Sequence, residues 1–173
     1  MARSFSRAEA IQAIDEMRDN LNSVLDDIDN QRRSGELSPE QQTYLNDYAV
    51  VRMAGYLEQL CFHAISGRIG ELAQGHPQAF INSWFYKSPN LTARQFRELF
   101  KRFGPDVDGQ VKVFLDSGFN RELLDNLLEI RNSVAHGKEY SRANRESLET
   151  FRQLVGEVET LVDVLLLKPS AVV

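Results

Sequence analysis

Four stretches of this chain repeat apolar residues at the spacing of an α-helix, and none alternates β-branched residues at the spacing of a strand. Ala10, Ile14, Met17, Leu21, Val24 and Ile28 recur at 4-3-4-3-4 intervals. Residues on a helix turn by about 100° each, so this spacing lines up one face. Ser6 and Glu9 form an S-x-x-E capping box in front of it, and Arg33-Ser34-Gly35 marks its end. Ser38-Pro39-Glu40-Gln41 then supplies an N-cap, a proline at the first helical position and a capping glutamine. Val50, Met53, Leu57, Leu60 and Ala64 carry this second stripe toward Leu72. A third helix is expected from Phe119 as staple and Asn120 as N-cap, with Leu123, Leu127, Ile130 and Val134 in a narrow arc and Gly137 as C-terminal cap. The fourth is Leu148, Phe151, Val155, Val158, Val162 and Leu165, ending before Pro169.

These stripes predict an all-α protein, a four- to five-helix bundle. Between residues 75 and 118 the pattern weakens. Gly75-His76-Pro77, Ser88-Pro89-Asn90 and Gly104-Pro105-Asp106 are turn signals enclosing two short helical pieces, near 78–86 and 92–102. The segment reads as a short helical insertion on the bundle, and the aromatic triplet Trp84-Phe85-Tyr86 as its anchor.

A chain of 173 residues, 42% of them hydrophobic, is sized for one domain, placed here at 6–167 with 168–173 as a C-terminal tail. Its net charge of −5 excludes binding nucleic acid through a broad basic face, because such affinity comes from clustered Lys and Arg neutralising phosphates. Any RNA contact must be local. The lone Cys61 sits in an apolar helical run, as a buried thiol in a reducing compartment would. No apolar segment opens the chain, and the run at 161–167 is short and broken by Asp163, so a soluble, cytoplasmic protein without membrane contact is expected.

The chemistry concentrates at Arg131-Asn132-Ser133-Val134-Ala135-His136, which reads R-N-x-x-x-H and is followed by Gly137. Asn132 and His136 fall about 40° apart on the polar flank of the third stripe, with Asp125 and Glu129. Arg131 instead projects within the arc of Leu127 and Val134. A guanidinium there must snorkel out or find a carboxylate, since breaking a buried pair costs on the order of 3–5 kcal/mol. Glu58, midway along the second helix, is the candidate partner. A cation, an amide and an imidazole suffice to cut RNA without a metal. The plainer alternative is a surface His and Asn near a helix end, with an Arg placed favourably for the helix dipole.

The segment from Leu127 to Gly137 resembles the signature of the HEPN superfamily of helical ribonucleases and RNA-binding domains. Tyr56-Leu57-Glu58-Gln59-Leu60 is similar to the acidic segment of the second helix in those domains. Phe96-Arg97-Glu98-Leu99-Phe100-Lys101-Arg102-Phe103-Gly104 resembles the segment before the motif helix in the RiboL-PSP-HEPN branch. The resemblance implies a HEPN-type bundle that acts as a metal-independent, cofactor-free endoribonuclease. RNA would be its substrate and 2′,3′-cyclic phosphate its product, in a toxin, antiphage-defence or stress setting. It implies His136 as the proton-transferring imidazole, Arg131 as the group that stabilises charge on phosphorus, Asn132 as the amide that orients phosphate or imidazole, and Glu58 in support. It also implies a homodimer whose two motifs share one cleft, and an antitoxin protein as partner in the toxin setting. A branch silenced by nucleotidyl transfer carries a tyrosine two residues after the histidine; here Lys138 holds that place and Tyr140 comes later.

Lys138 and Arg142 are candidate RNA-backbone contacts. His63, among Leu60, Phe62, Ala64 and Ile65, reads as a packing histidine, and His76 belongs to a turn. One Cys and three scattered His give no zinc spacing. Asp26-Asp27-Ile28-Asp29 reads as an exposed helix face and Asp106-Val107-Asp108-Gly109 as a turn, not calcium loops. Two other function classes stay open: a HEPN module that binds RNA or a protein without cutting, and a helical scaffold in which the motif tightens a subunit interface.

Overall fold

In the computed structural model, residues 6–72, 91–137 and 147–168 are described. The expected helical piece at 78–86, His76, the triplet at Trp84, Lys138, Tyr140, Arg142 and residues 169–173 lie outside them. Among the described residues every regular element is helical: α1 (Arg7–Arg33), α2 (Pro39–Leu72), α3 (Ala93–Phe100), α4 (Pro105–Leu115), α5 (Asn120–Ala135) and α6 (Leu148–Val162). A 3₁₀ turn (Lys101–Phe103) follows α3, and a π-turn (Asp163–Leu167) extends α6. No described helix is long and apolar enough to cross a membrane.

The helices begin where side chains satisfy their first N–H groups. Ser6 Oγ accepts from the Glu9 N–H at 3.2 Å while Glu9 Oε2 accepts from the Ser6 N–H at 2.9 Å. Ser38 and Gln41 repeat that exchange at the start of α2, and Thr92 and Gln95 repeat it at α3. α2 is the central element, packed by α1, α5 and α6, and its buried residues spread over more than one face. The core gathers Met53, Leu57, Leu60 and Ile65 from α2, Leu127 from α5, and Phe151 and Leu154 from α6. Each such side chain contributes roughly 1.5–3 kcal/mol of burial, so the stripes dominate the assembly. Where α1 crosses α2, Gly67 is required: a Cβ there would lie 2.6 Å from the Ala10 Cβ.

The insertion departs from expectation at two points. Gly104-Pro105-Asp106 was expected only to turn, yet it also starts α4. Gly104 reverses the chain at φ 117°, Pro105 is pre-set for a first helical position, and Asp106 and Asp108 face the positive end of the helix. The expected turn at Asp106-Val107-Asp108-Gly109 is therefore the first turn of α4. The second departure is the start of α5. Phe119 holds the capping position but is 75% exposed, so it is no staple, and Asn120 lies already inside the helix. Gly118, at φ 56°, lets the chain turn so that Asn120 Nδ2 donates instead to Phe114 O and Glu157 Oε2, both at 3.2 Å, tying α5 to α4 and α6.

Candidate functional site

α5 buries Leu124, Leu127, Leu128 and Ile130 and half-buries Val134, and Arg131 emerges beside that face. Across from it on α2 lies Glu58, only 4% exposed. Arg131 Nη2 stands 3.5 Å from Glu58 Oε2, the outer limit of a hydrogen bond, while Arg131 Nη1 donates to Asn132 Oδ1 at 2.9 Å. The guanidinium is thus held from two sides by one long-range and one neighbouring acceptor. Its side chain keeps 28% exposure against 5% for Glu58, so a positive charge reaches the surface over a buried counter-charge.

Glu58 is poorly satisfied for a buried carboxylate. Its Oε1 is buried with no hydrogen-bond partner among the described residues. Burial pushes its carboxyl above the ordinary glutamate range, and the Arg131 charge opposes that without cancelling it. The neighbouring Cys61 thiol, fully buried, is pushed up by the same desolvation and then by the Glu58 charge, so it stays a neutral thiol.

His136 caps the end of α5. Its backbone N–H donates to Asn132 O at 3.0 Å, and its side chain is exposed. Gly137 closes the helix at φ 61°, its N–H donating to Val134 O at 3.1 Å, so this glycine serves as the expected cap. Asn132 and His136 stand one helical turn apart on the half-buried to exposed side of α5. Glu58, Arg131 and Asn132 are therefore brought into one chain of contacts, with His136 one turn beyond at the helix end.

One role was not legible in the sequence, while His63 stands as the packing histidine expected. Asp125 Oδ1 accepts from the Ala93 N–H at 2.7 Å, so this flank residue of the motif helix also receives the start of α3. The Thr92–Gln95 box was a visible signal that α3 begins there, but nothing local pointed to Asp125. His63 is half-buried, edge-on to Phe62 with ring centroids 5.1 Å apart, and burial pulls its imidazole below the usual range. It lines a groove of about 600 Å³ between α1 and α2 that also includes Glu58. A larger groove, about 1030 Å³, runs between α4 and α6 and includes none of Glu58, Arg131, Asn132 and His136.

The RiboL-PSP-HEPN family model matches residues 13–166, from the first stripe to the end of the last. No curated protein and no solved structure matches the chain significantly.

Proposed function

The chain belongs to the RiboL-PSP-HEPN family, and from that premise we propose that it is a metal-independent endoribonuclease acting at Arg131, Asn132 and His136. The observation that carries this reading is the buried Glu58 set against a partly exposed Arg131, five residues before an exposed histidine on the same helix. A core carboxylate that is left half-satisfied costs stability, and that cost has a purpose if the guanidinium must be aimed.

In this reading the ribose 2′-hydroxyl passes its proton to a His136 imidazole as its oxygen bonds to phosphorus. The bond from phosphorus to the 5′-oxygen breaks, and that oxygen takes a proton from a second imidazole, supplied by the second subunit of a homodimer. The products are a 2′,3′-cyclic phosphate and a 5′-hydroxyl, with no net gain or loss of protons. Arg131 stabilises charge on the phosphoryl oxygens through charge-assisted hydrogen bonds. Asn132 sets the guanidinium by the contact from Oδ1, and Lys138 and Arg142 serve as backbone contacts. Such an enzyme suits a toxin, antiphage-defence or stress role, with an antitoxin protein as its restraint.

The test is cleavage of total RNA in excess chelator by wild type beside His136→Ala and Arg131→Ala, each checked for helix content and mass. Cyclic-phosphate ends from wild type alone support the reading. The net charge of −5 favours a second one, a module that binds RNA or a protein without cutting; retention of RNA that stays intact under the same conditions would select it.

A further inference from the structure

Glu58 lines a concavity on its α1 side as well as facing Arg131. The groove of about 600 Å³ falls within the range of small-ligand sites, roughly 300–1,000 Å³. Its apolar wall comes from Met17, Leu21 and Val51, and Asn20, Arg52, Gln59, His63 and Glu16 bring hydrogen-bonding groups to it. Arg52 donates to Asn20 Oδ1, clasping α2 to α1 across it.

Gly55, like Gly109 and Gly156, is a helical glycine that packing leaves unexplained. It lies inside α2, where glycine weakens a helix, and it lines this groove. A Cβ on Gly55 would meet nothing within 4 Å, whereas one on Gly67 would strike Ala10. Gly67 is accounted for by α1, but no described neighbour accounts for Gly55. A bare helix backbone in an open, polar-edged groove suits a flat molecule lying on it.

We infer that this groove is a nucleobase subsite, taking one base of single-stranded RNA next to the phosphate at Arg131, with the base flat over Gly55. This rests on the nuclease reading for its register, since Glu58 stands one helical turn, about 4.5 Å of rise, beyond Gly55. The groups available select the base. Glu16 and Glu58 are carboxylates, acceptors that repel phosphate and pair with an exocyclic amino group, as glutamate does with cytosine. Gln59 and the half-buried His63 add an amide and an imidazole, which burial keeps neutral and so both donor and acceptor. The preferred base is therefore one bearing an exocyclic amino group, adenine, cytosine or guanine, over uracil.

The probes are uncleavable 2′-O-methyl tetramers of A, C and U, titrated by fluorescence anisotropy. Wild type should bind the A or C tetramer roughly tenfold tighter than U, the scale of one well-held base. Gly55→Leu fills the groove and should erase that preference with helix content and mass unchanged. Glu16→Ala, at an exposed position that tolerates truncation, should narrow it as well. A preference that survives both variants overturns the subsite, as does a wild type that binds all three tetramers alike. Loss of a dimer in Gly55→Leu also overturns it, by showing that a second copy covers the groove. Wild-type cleavage without base preference would leave the nuclease and remove the subsite; base preference without cleavage would do the reverse.

Discussion

Two arginine–carboxylate pairs in this protein are built to opposite specifications. Arg97 turns Nε and Nη2 to the two oxygens of Asp108 at 2.7 and 3.0 Å, a bidentate fork joining α3 to α4. Arg131 meets Glu58 through one contact of 3.5 Å. In the first pair the arginine holds the Asp108 carboxyl below its ordinary range; in the second, burial outweighs the arginine and pushes Glu58 up. The better-made pair fastens the insertion, and the looser one stands at the candidate site. Each guanidinium commits two nitrogens, but Arg97 gives both to one carboxylate at close range, whereas Arg131 gives one to the neutral Asn132 amide and meets its counter-charge only at 3.5 Å, so its charge is fixed in place and less fully matched.

The widest separation between the pairs should appear in cleavage. Arg131→Ala is expected to lower the yield of cyclic-phosphate ends by roughly 10²–10³, the scale of losing one preorganised charge-stabilising group. His136→Ala should fall in the same range or below it. Single-turnover cleavage reads both, and near-normal rates would remove the contrast altogether.

Glu58→Gln should separate stability from activity. Because the folded carboxyl has a raised pKa, it stabilises the fold only where it is protonated, and that contribution is lost as pH rises through the folded value. At neutral pH the charged Glu58 therefore costs stability, so the glutamine variant should melt above wild type, with the gap closing on acidification toward pH ~4, near the unfolded pKa. Cleavage should fall about tenfold as the guanidinium loses its anchor. Thermal melts across pH check the sign; a variant that melts below wild type at pH 7 would mean the pair is a net stabiliser like its counterpart.

Smaller effects sharpen the same contrast. Asp125→Ala removes the acceptor for the Ala93 N–H and should cost about 1 kcal/mol in denaturant unfolding, as loss of a helix cap does. Arg97→Ala should lower the melting temperature slightly and leave cleavage within about twofold of wild type, since surface pairs contribute little. A larger loss of activity from Arg97→Ala than from Glu58→Gln would invert the assignment of structural and functional pairs.

The four stripes, their caps at Ser6 and Ser38, and Gly137 were legible because periodicity and capping are local, written within a few residues. The Glu58–Arg131 partnership was half legible: an arginine inside an apolar arc demanded a carboxylate, and the second helix offered one. α4 was missed because Gly109 and three valines, Val107, Val111 and Val113, blunt its helical pattern, so its Gly-Pro-Asp opening read as a turn alone. Asn120 looked like a cap and became a strut, since the turn at Gly118 shifted the helix start by one residue.

By itself, then, the sequence determined an all-α chain of long amphipathic helices and placed a cation, an amide and an imidazole at the end of one of them. Tertiary structure alone decided how deeply Glu58 is buried, that Asp125 receives α3, and that Gly55 faces a groove while Gly67 faces Ala10. The physical reason is range. Helix formation and capping depend on neighbours a turn away, but desolvation and the space beside a glycine depend on which distant helices arrive, and two glycines on one helix read alike until they do.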